Sequence, residues 1–245
     1  MAQNIYDTPE FFAGYSQLRR SLHGLAGAPE WAAIRALLPN LHGRRVVDLG
    51  CGFGWFARWA AEQGAARVLA LDLSENMLAR ARAETTNAAV QYKRADLESL
   101  DLPAAAFDLA YSSLTFHYIE DFARLVRTVF QALIPGGHFV FTIEHPIYMA
   151  PAAPGFVRQP DGRIIWPVNQ YAVEGRRTTD WLAKGVVKQH RTLGTTLNTL
   201  IESGFIIRHV DEWSPTPEQV AAQPSLAEEL ERPLMVLIAA WRPAA

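Results

Sequence analysis

The sequence predicts an α/β fold, an open and mostly parallel sheet with helices on both faces. Three observations predict it. Short apolar runs alternate with amphipathic stretches from Arg44 to Glu144, the pattern of parallel strands joined by right-handed crossovers. Those runs, among them RRVVDLG, RVLALD, FDLAYSS and HFVFTIE, are almost continuously apolar, as suits strands covered on both sides. The first run ends in a glycine-dense turn, Gly50-Cys51-Gly52-Phe53-Gly54. Such a turn lets a ligand approach the backbone at the carboxyl ends of the strands.

Each element has its own signal. Thr8 as N-cap and Pro9 at the first helical position open a helix, with Phe11, Tyr15, Leu18 and Leu22 at helical spacing. A second short helix runs from Pro29 or Glu30 to Leu38. RRVVDLG is the first strand, and the helix from Trp55 to Gln63 stops at Gly64. RVLALD is the second strand, after which Ser74 caps a helix reaching about Ala83. AVQYKRA and FDLAYSS are the third and fourth strands. Asp121 caps a helix with Leu125, Val129 and Leu133 on one face, and PGG turns the chain into the fifth strand, HFVFTIE. From Pro146 to Arg191 prolines, glycines and aromatics follow no clear period. Helix returns over 193–203, followed by the strand FIIRHVDEW, a Pro- and Glu-rich stretch over 214–232, and a last strand, PLMVLIAAW.

Composition narrows the classes. The chain has 245 residues, 49% of them hydrophobic, with a formal net charge of -2. That length can bury a large core, and the charge gives no electrostatic reason to expect a nucleic acid partner. Cys51 is the single cysteine, so no internal disulfide forms and a reducing compartment is the default. In the turn Cys51 reads as a small packing residue rather than a nucleophile. No signal peptide is expected in MAQNIYDTPEFF, and no apolar run reaches the roughly 18 residues of a membrane span. A cytoplasmic protein is expected.

The turn and its neighbours define the ligand. Asp72 ends the second strand, 20 positions past Gly52, where a carboxylate can accept hydrogen bonds from ribose hydroxyls. A dinucleotide site prefers glycine or alanine where this chain has Trp55. Asp48, just before the turn, would repel a pyrophosphate but suits an ammonium group. The ligand therefore reads as a cation with a ribose, a description that S-adenosylmethionine meets.

The stretches VVDLGCGFG, ALDLSENML, ADLESLDLPAAAFDLAYSSLTFHYI and LIPGGHFVFTIEHP together resemble the successive motifs of class I S-adenosylmethionine-dependent methyltransferases, in the branch of the ubiquinone- and menaquinone-biosynthesis enzymes. The resemblance is close over residues 40–145 and looser over the last helix and strands. It implies a Rossmann-like seven-stranded sheet, its last strand antiparallel, with a substrate-cap insertion after strand five. It implies one methyltransferase domain over 1–245: an N-terminal helical lid (1–40), a cofactor-binding half (41–145), the insertion (146–192), and a final helix and strands (193–245). Carried over, Asp48, Gly50, Cys51, Gly52 and Gly54 line the methionine part. Asp72 holds the ribose with Leu73 beside the adenine, Met77 follows on the next helix, and Asp96 and Leu97 meet the adenine. Ser112 or Ser113 closes the site. Arg19 or Arg20 on the first helix meets the methionine carboxylate, with Tyr15 in the lid.

Methyl transfer from a sulfonium needs alignment and exclusion of water more than a fixed catalytic side chain. Candidates lie past strands four and five: His117 and Tyr118 in LTFHYIED, and Glu144, His145 and Tyr148 in EHPIY. His145, His117 and Tyr15 are the catalytic candidates. Over 151–192 seven positive residues stand against three negative ones, interleaved with Phe156, Trp166, Tyr171 and Trp181. Arginine forks match carboxylates and aromatics supply flat walls. Arg177, Trp181, His190 and Arg191 therefore join His117, Tyr118, His145 and Tyr148 as substrate candidates, for an anionic or carboxyl-bearing small molecule. No metal is expected, and the oligomeric state stays open. SSLTFHY lacks the Asn/Asp-Pro-Pro-aromatic arrangement associated with base methylation. A nucleobase, RNA or other N-methyltransferase and a non-catalytic S-adenosylmethionine-binding module are the alternatives.

Overall fold

The computed structural model describes residues 3–244. An N-terminal segment forms α1 (Pro9–Ser16), α2 (Arg19–His23) and α3 (Trp31–Leu37). Strand and helix then alternate: β1 (Arg45–Leu49), α4 (Trp55–Glu62), β2 (Arg67–Asp72), α5 (Glu75–Ala83), β3 (Val90–Arg94), β4 (Phe107–Ser113), α6 (Phe122–Ala132) and β5 (Leu133–Glu144). The insertion carries α7 (Pro146–Met149), β6 (Val157–Arg158), β7 (Ile164–Ile165), β8 (Gly175–Trp181) and β9 (Ala183–His190). The chain continues through α8 (Leu193–Glu202), β10 (Ile206–Glu212), α9 (Pro217–Ala222), α10 (Glu228–Glu231) and β11 (Met235–Trp241).

Seven strands form one sheet in the order β10-β11-β5-β4-β1-β2-β3. β11 runs antiparallel to both neighbours, β5 and β10, while β1 to β5 pair in parallel. The sheet has the expected seven strands and antiparallel last strand. Its residues alternate between two cores. Val47, Ala110, Phe139, Phe141, Val236 and Ile238 face the layer of α6 and α8, and Val46, Leu109, Tyr111, Val140, Leu237 and Ala239 face that of α3 and α4. Strand order reverses between β1 and β4, so a crevice opens above the carboxyl ends of those two strands.

Local signals account for the helix starts. The Ser74 hydroxyl accepts from the Met77 N–H at 3.1 Å and Asp121 from that of Arg124 at 2.9 Å. Three expectations change. The helix expected through Leu22 breaks at Leu18, whose extended backbone (φ -64°, ψ 145°) caps α2. The break turns Arg20 inward to the buried Glu30 and leaves Leu22 exposed. The insertion is not irregular throughout, because β8 and β9 pair as an antiparallel hairpin outside the main sheet. The 214–232 stretch contains α9, held by a capping box between Thr216 and Gln219. Among the described residues no helix is long and apolar enough to cross a membrane.

Candidate active site

The crevice above β1 and β4 leads into two cavities. The smaller, about 90 Å³, is lined by Asp72, Leu73, Met77, Asp96 and Leu97. The larger, about 380 Å³, is lined by Asp48, Cys51, Arg20, His117, Glu144 and Tyr148. Gly50, Gly52, Tyr6, Tyr15, Ser113, Leu114 and Tyr118 border both.

The turn is built by backbone geometry. The N–H groups of Gly50 and Cys51 both donate to the Leu71 carbonyl, at 2.8 and 2.9 Å. Gly50 and Gly54 have φ of 79° and 74°, and a Cβ on either would lie 2.2 Å from Thr115 or 2.1 Å from the Tyr92 hydroxyl. Gly52 differs. Its φ is also positive, at 51°, but nothing lies within 4 Å of where its Cβ would be. That space is open to a ligand.

Asp72 accepts from the Gly52 N–H at 2.8 Å and the Ser74 N–H at 2.9 Å, one on each carboxylate oxygen. Each oxygen keeps a lone pair for a further donor. Burial raises its pKa, against those backbone bonds. Asp48 is 2% exposed, and its Oδ2 has no hydrogen-bond partner. Burial, followed by repulsion from Asp72, pushes its pKa well up. An unpartnered buried carboxyl costs about 1–3 kcal/mol, which a cation or donor in the larger cavity would offset. Arg20 reaches this cavity but pairs with Glu30 at 3.1 Å. Cys51 is a free thiol whose pKa burial raises well up, so it is not poised as a thiolate.

The other expected residues divide. Tyr118 and Tyr148 face the larger cavity, as does Trp181, while Tyr15 packs edge-on to Tyr6 and Phe53. His117 lines the cavity too, but its Nδ1 accepts from the Glu144 N–H at 3.4 Å. Its proton is therefore assigned to Nε2, which lies 3.8 Å from Glu144 Oε1. Burial holds its pKa down at about 4, and it has no free lone pair with which to act as a base.

Five expected site residues lie elsewhere. His145 is the N-cap of α7: its Nδ1 accepts from Ile147 N–H at 3.0 Å and its Nε2 meets Glu212 at 2.7 Å. It borders neither cavity. Ser112 is fully buried and donates to the Leu49 carbonyl at 2.7 Å, leaving Ser113 on the cavity walls. Arg177 donates to the carbonyls of Ala150, Val173 and Gln170. His190 meets the Tyr171 carbonyl at 2.8 Å. Arg191 donates to the Phe116 carbonyl and stacks over Phe122. His190 and Arg191 face an open groove on the far side of Tyr118. The insertion turns these side chains to structural partners that sequence spacing does not reveal.

Other residues complete the site. Tyr6 borders both cavities and donates to the Tyr118 hydroxyl at 3.2 Å. Asp7 accepts from Ser74 Oγ at 2.5 Å and the Asn76 N–H at 3.1 Å. Gln3 pairs with β9 through the Gly185 carbonyl and the Val187 N–H. A strap thus spans the crevice from α5 to the hairpin. Glu144, at the end of β5, is bound by Lys188 at 2.5 Å, and its Oε2 is buried without a partner.

Comparison with known proteins shows the family. The methyltransferase domain family model matches residues 47–141. The crystal structure of an S-adenosylmethionine-dependent methyltransferase from Mesorhizobium loti is 64% identical, covers 89% of this chain and 100% of its own, and superposes with a TM-score of 0.87. The chain belongs to the S-adenosylmethionine-dependent methyltransferases. An uncharacterised Haemophilus influenzae protein is 34% identical over 85% of each chain. The malonyl-[acyl-carrier protein] O-methyltransferase of Enterobacter lignolyticus is 40% identical, over 45% of this chain and 43% of its own. S-adenosylmethionine is the cofactor of this methyltransferase, and its residues fit one: an orphaned carboxylate at Asp48, open space at Gly52, and spare lone pairs on Asp72.

Proposed function

We propose that this methyltransferase methylates a small molecule carrying a carboxyl or other anionic group, and that the reacting atom enters the larger cavity beside Glu144. The observation that carries the reading is the continuity of that cavity. One wall holds the orphaned Asp48 and the glycine turn, and another holds the unpartnered Glu144 Oε2 among Tyr118, Tyr148 and Trp181. The match to malonyl-[acyl-carrier protein] O-methyltransferases, over 45% of this chain, supports an oxygen acceptor.

Bound in the crevice, S-adenosylmethionine supplies a methyl group on a sulfonium, which keeps the C–S electron pair and leaves as S-adenosylhomocysteine. The chain's part is to hold the acceptor in line, worth roughly 7–11 kcal/mol, and to exclude water with the ring walls and the strap. Glu144 Oε2 accepts the proton of an acceptor hydroxyl or amine as the new bond to carbon forms. His117 keeps the Glu144 backbone in place, and the Tyr6–Tyr118 contact fixes the opposite wall.

Release of S-adenosylhomocysteine over a panel of phenolic acids, hydroxy acids and amino acids tests the reading. Glu144→Gln should lower kcat by about 10²-fold, within the range of a general base, and leave S-adenosylhomocysteine affinity nearly unchanged. Full turnover by Glu144→Gln would remove the proton-accepting role. Absence of turnover on every acceptor would remove the small-molecule reading.

A further inference from the structure

A second chamber of about 280 Å³ adjoins the larger cavity, sharing Glu144, Tyr148 and Trp181 with it. Two buried ion pairs stand in the dividing wall, and both point the same way. Lys188 Nζ lies 2.5 Å from Glu144 Oε1, and Arg232 Nη1 lies 2.5 Å from Glu229 Oε2. Their side chains are 4%, 12%, 7% and 11% exposed, in that order. Both carboxylates line the larger cavity. Both cations line the chamber, and neither lines the larger cavity. The wall is unequal on its two faces: Glu229 lines only the larger cavity, Lys188 and Arg232 only the chamber, and Glu144 both.

The chamber also has donors in reserve. Arg232 Nε and Thr179 Oγ1 are buried without partners, and both residues line it. The Lys188 ammonium has three N–H groups and one hydrogen-bond acceptor, Glu144. Its other neighbours are the faces of Trp181 and Tyr148, at 5.1 and 5.9 Å. Tyr148 stacks on Trp166 at 5.6 Å, and Phe156 meets Trp166 edge-on. Arg177 adds a third cation, held by backbone carbonyls. Besides Glu144, the acids that line the chamber are Asp180 and Glu228, both exposed. The chamber is therefore walled by flat rings and by residues that carry unpaired donors.

We propose that this chamber binds a carboxylate of the acceptor, so that the molecule methylated is two-ended. Its carboxylate is held by Lys188, Arg232 and Thr179, and a separate hydroxyl or amine is presented to Glu144 in the larger cavity. The proposal rests on the reading that the methyl acceptor reacts beside Glu144. A single negative charge suits the chamber better than a phosphate dianion, because each cation in the wall is already paired with a carboxylate. Charge-assisted hydrogen bonds from ammonium, guanidinium and hydroxyl are the strong kind. The carboxylate is thus the handle and not the methylated group.

Calorimetry at saturating S-adenosylhomocysteine tests this, with 3-(4-hydroxyphenyl)propanoate, its amide and phenyl phosphate as probes. The carboxylate should bind at least about tenfold more tightly than the amide, as expected for a charge-assisted contact. Thr179→Val and Arg232→Lys should each reduce that preference without weakening S-adenosylhomocysteine. The paired variant Glu144→Gln/Lys188→Met, which leaves no buried charge unmatched, should abolish it while keeping a cooperative thermal transition. Equal binding of acid and amide, survival of the preference in the paired variant, or tighter binding of phenyl phosphate than of the carboxylate would each overturn the proposal. In those three cases S-adenosylhomocysteine still binds, and the methyl-transfer reading stands. Failure of S-adenosylhomocysteine to bind would overturn both.

Discussion

A histidine beside a methyl donor invites a catalytic reading, and the two here show why the partner of each ring nitrogen decides. His145 precedes Pro146 at a helix start, and its ring closes the first turn of α7 and reaches Glu212. His145→Ala should cost about 1–2 kcal/mol of stability with methyl transfer unchanged, measured by urea unfolding and turnover. His117 is held neutral by burial, with a pKa of about 4 against an ordinary 6.5. In the acid range the unfolded chain therefore takes up this proton before the folded one. The stability contributed by neutral His117 is complete above pH 6.5 and lost as the pH falls through 4, at most about 3 kcal/mol. His117→Gln should flatten the dependence of Tm on pH between 6.5 and 4; an unchanged slope would assign that acid sensitivity to other groups.

At the scale of the element, the glycine turn separates folding from binding. Gly54→Ala puts a Cβ against the Tyr92 hydroxyl and Gly50→Ala puts one against Thr115, each at positive φ. Both should destabilise by about 1–3 kcal/mol or more. Gly52→Ala meets open space, so it should cost about 1–2 kcal/mol of left-handed strain and show its larger effect on S-adenosylhomocysteine affinity, read by calorimetry. The turn, Asp72 and the Ser74 cap were legible in the sequence because they are contiguous: strand, turn, helix, strand, acid. The β8–β9 hairpin was not. Its buried positions on β9 alternate correctly, Val186, Lys188, His190, but two of the three are ionisable, which hides a period-two pattern from a reading based on apolar residues. The cations of the insertion were visible as a composition, and their directions were not. Arg177 and Arg191 turn to backbone carbonyls, while Lys188 turns to Glu144.

At the scale of the molecule, the parallel sheet with helices on both faces was readable from alternation, and the wall between the two chambers was not. Glu144, Lys188, Glu229 and Arg232 come from β5, β9, α10 and the residue after it, so no sequence spacing connects them before the chain folds. The same long-range character belongs to the strap. Gln3 fastens it to β9, and Asp7 fastens it to the start of α5. Asp7→Ala removes the α5 end and should speed both S-adenosylhomocysteine dissociation and protease cleavage near residues 4–16, followed by stopped-flow fluorescence and limited proteolysis. Gln3, Asn4 and Tyr6 border the smaller cavity, so on the proposed reading the nucleoside sits behind them while the acceptor enters from the hairpin side. Turnover then has a compulsory queue: the spent nucleoside is last to leave. Steady-state kinetics should register this as inhibition by S-adenosylhomocysteine that is competitive against the methyl donor and noncompetitive against the acceptor.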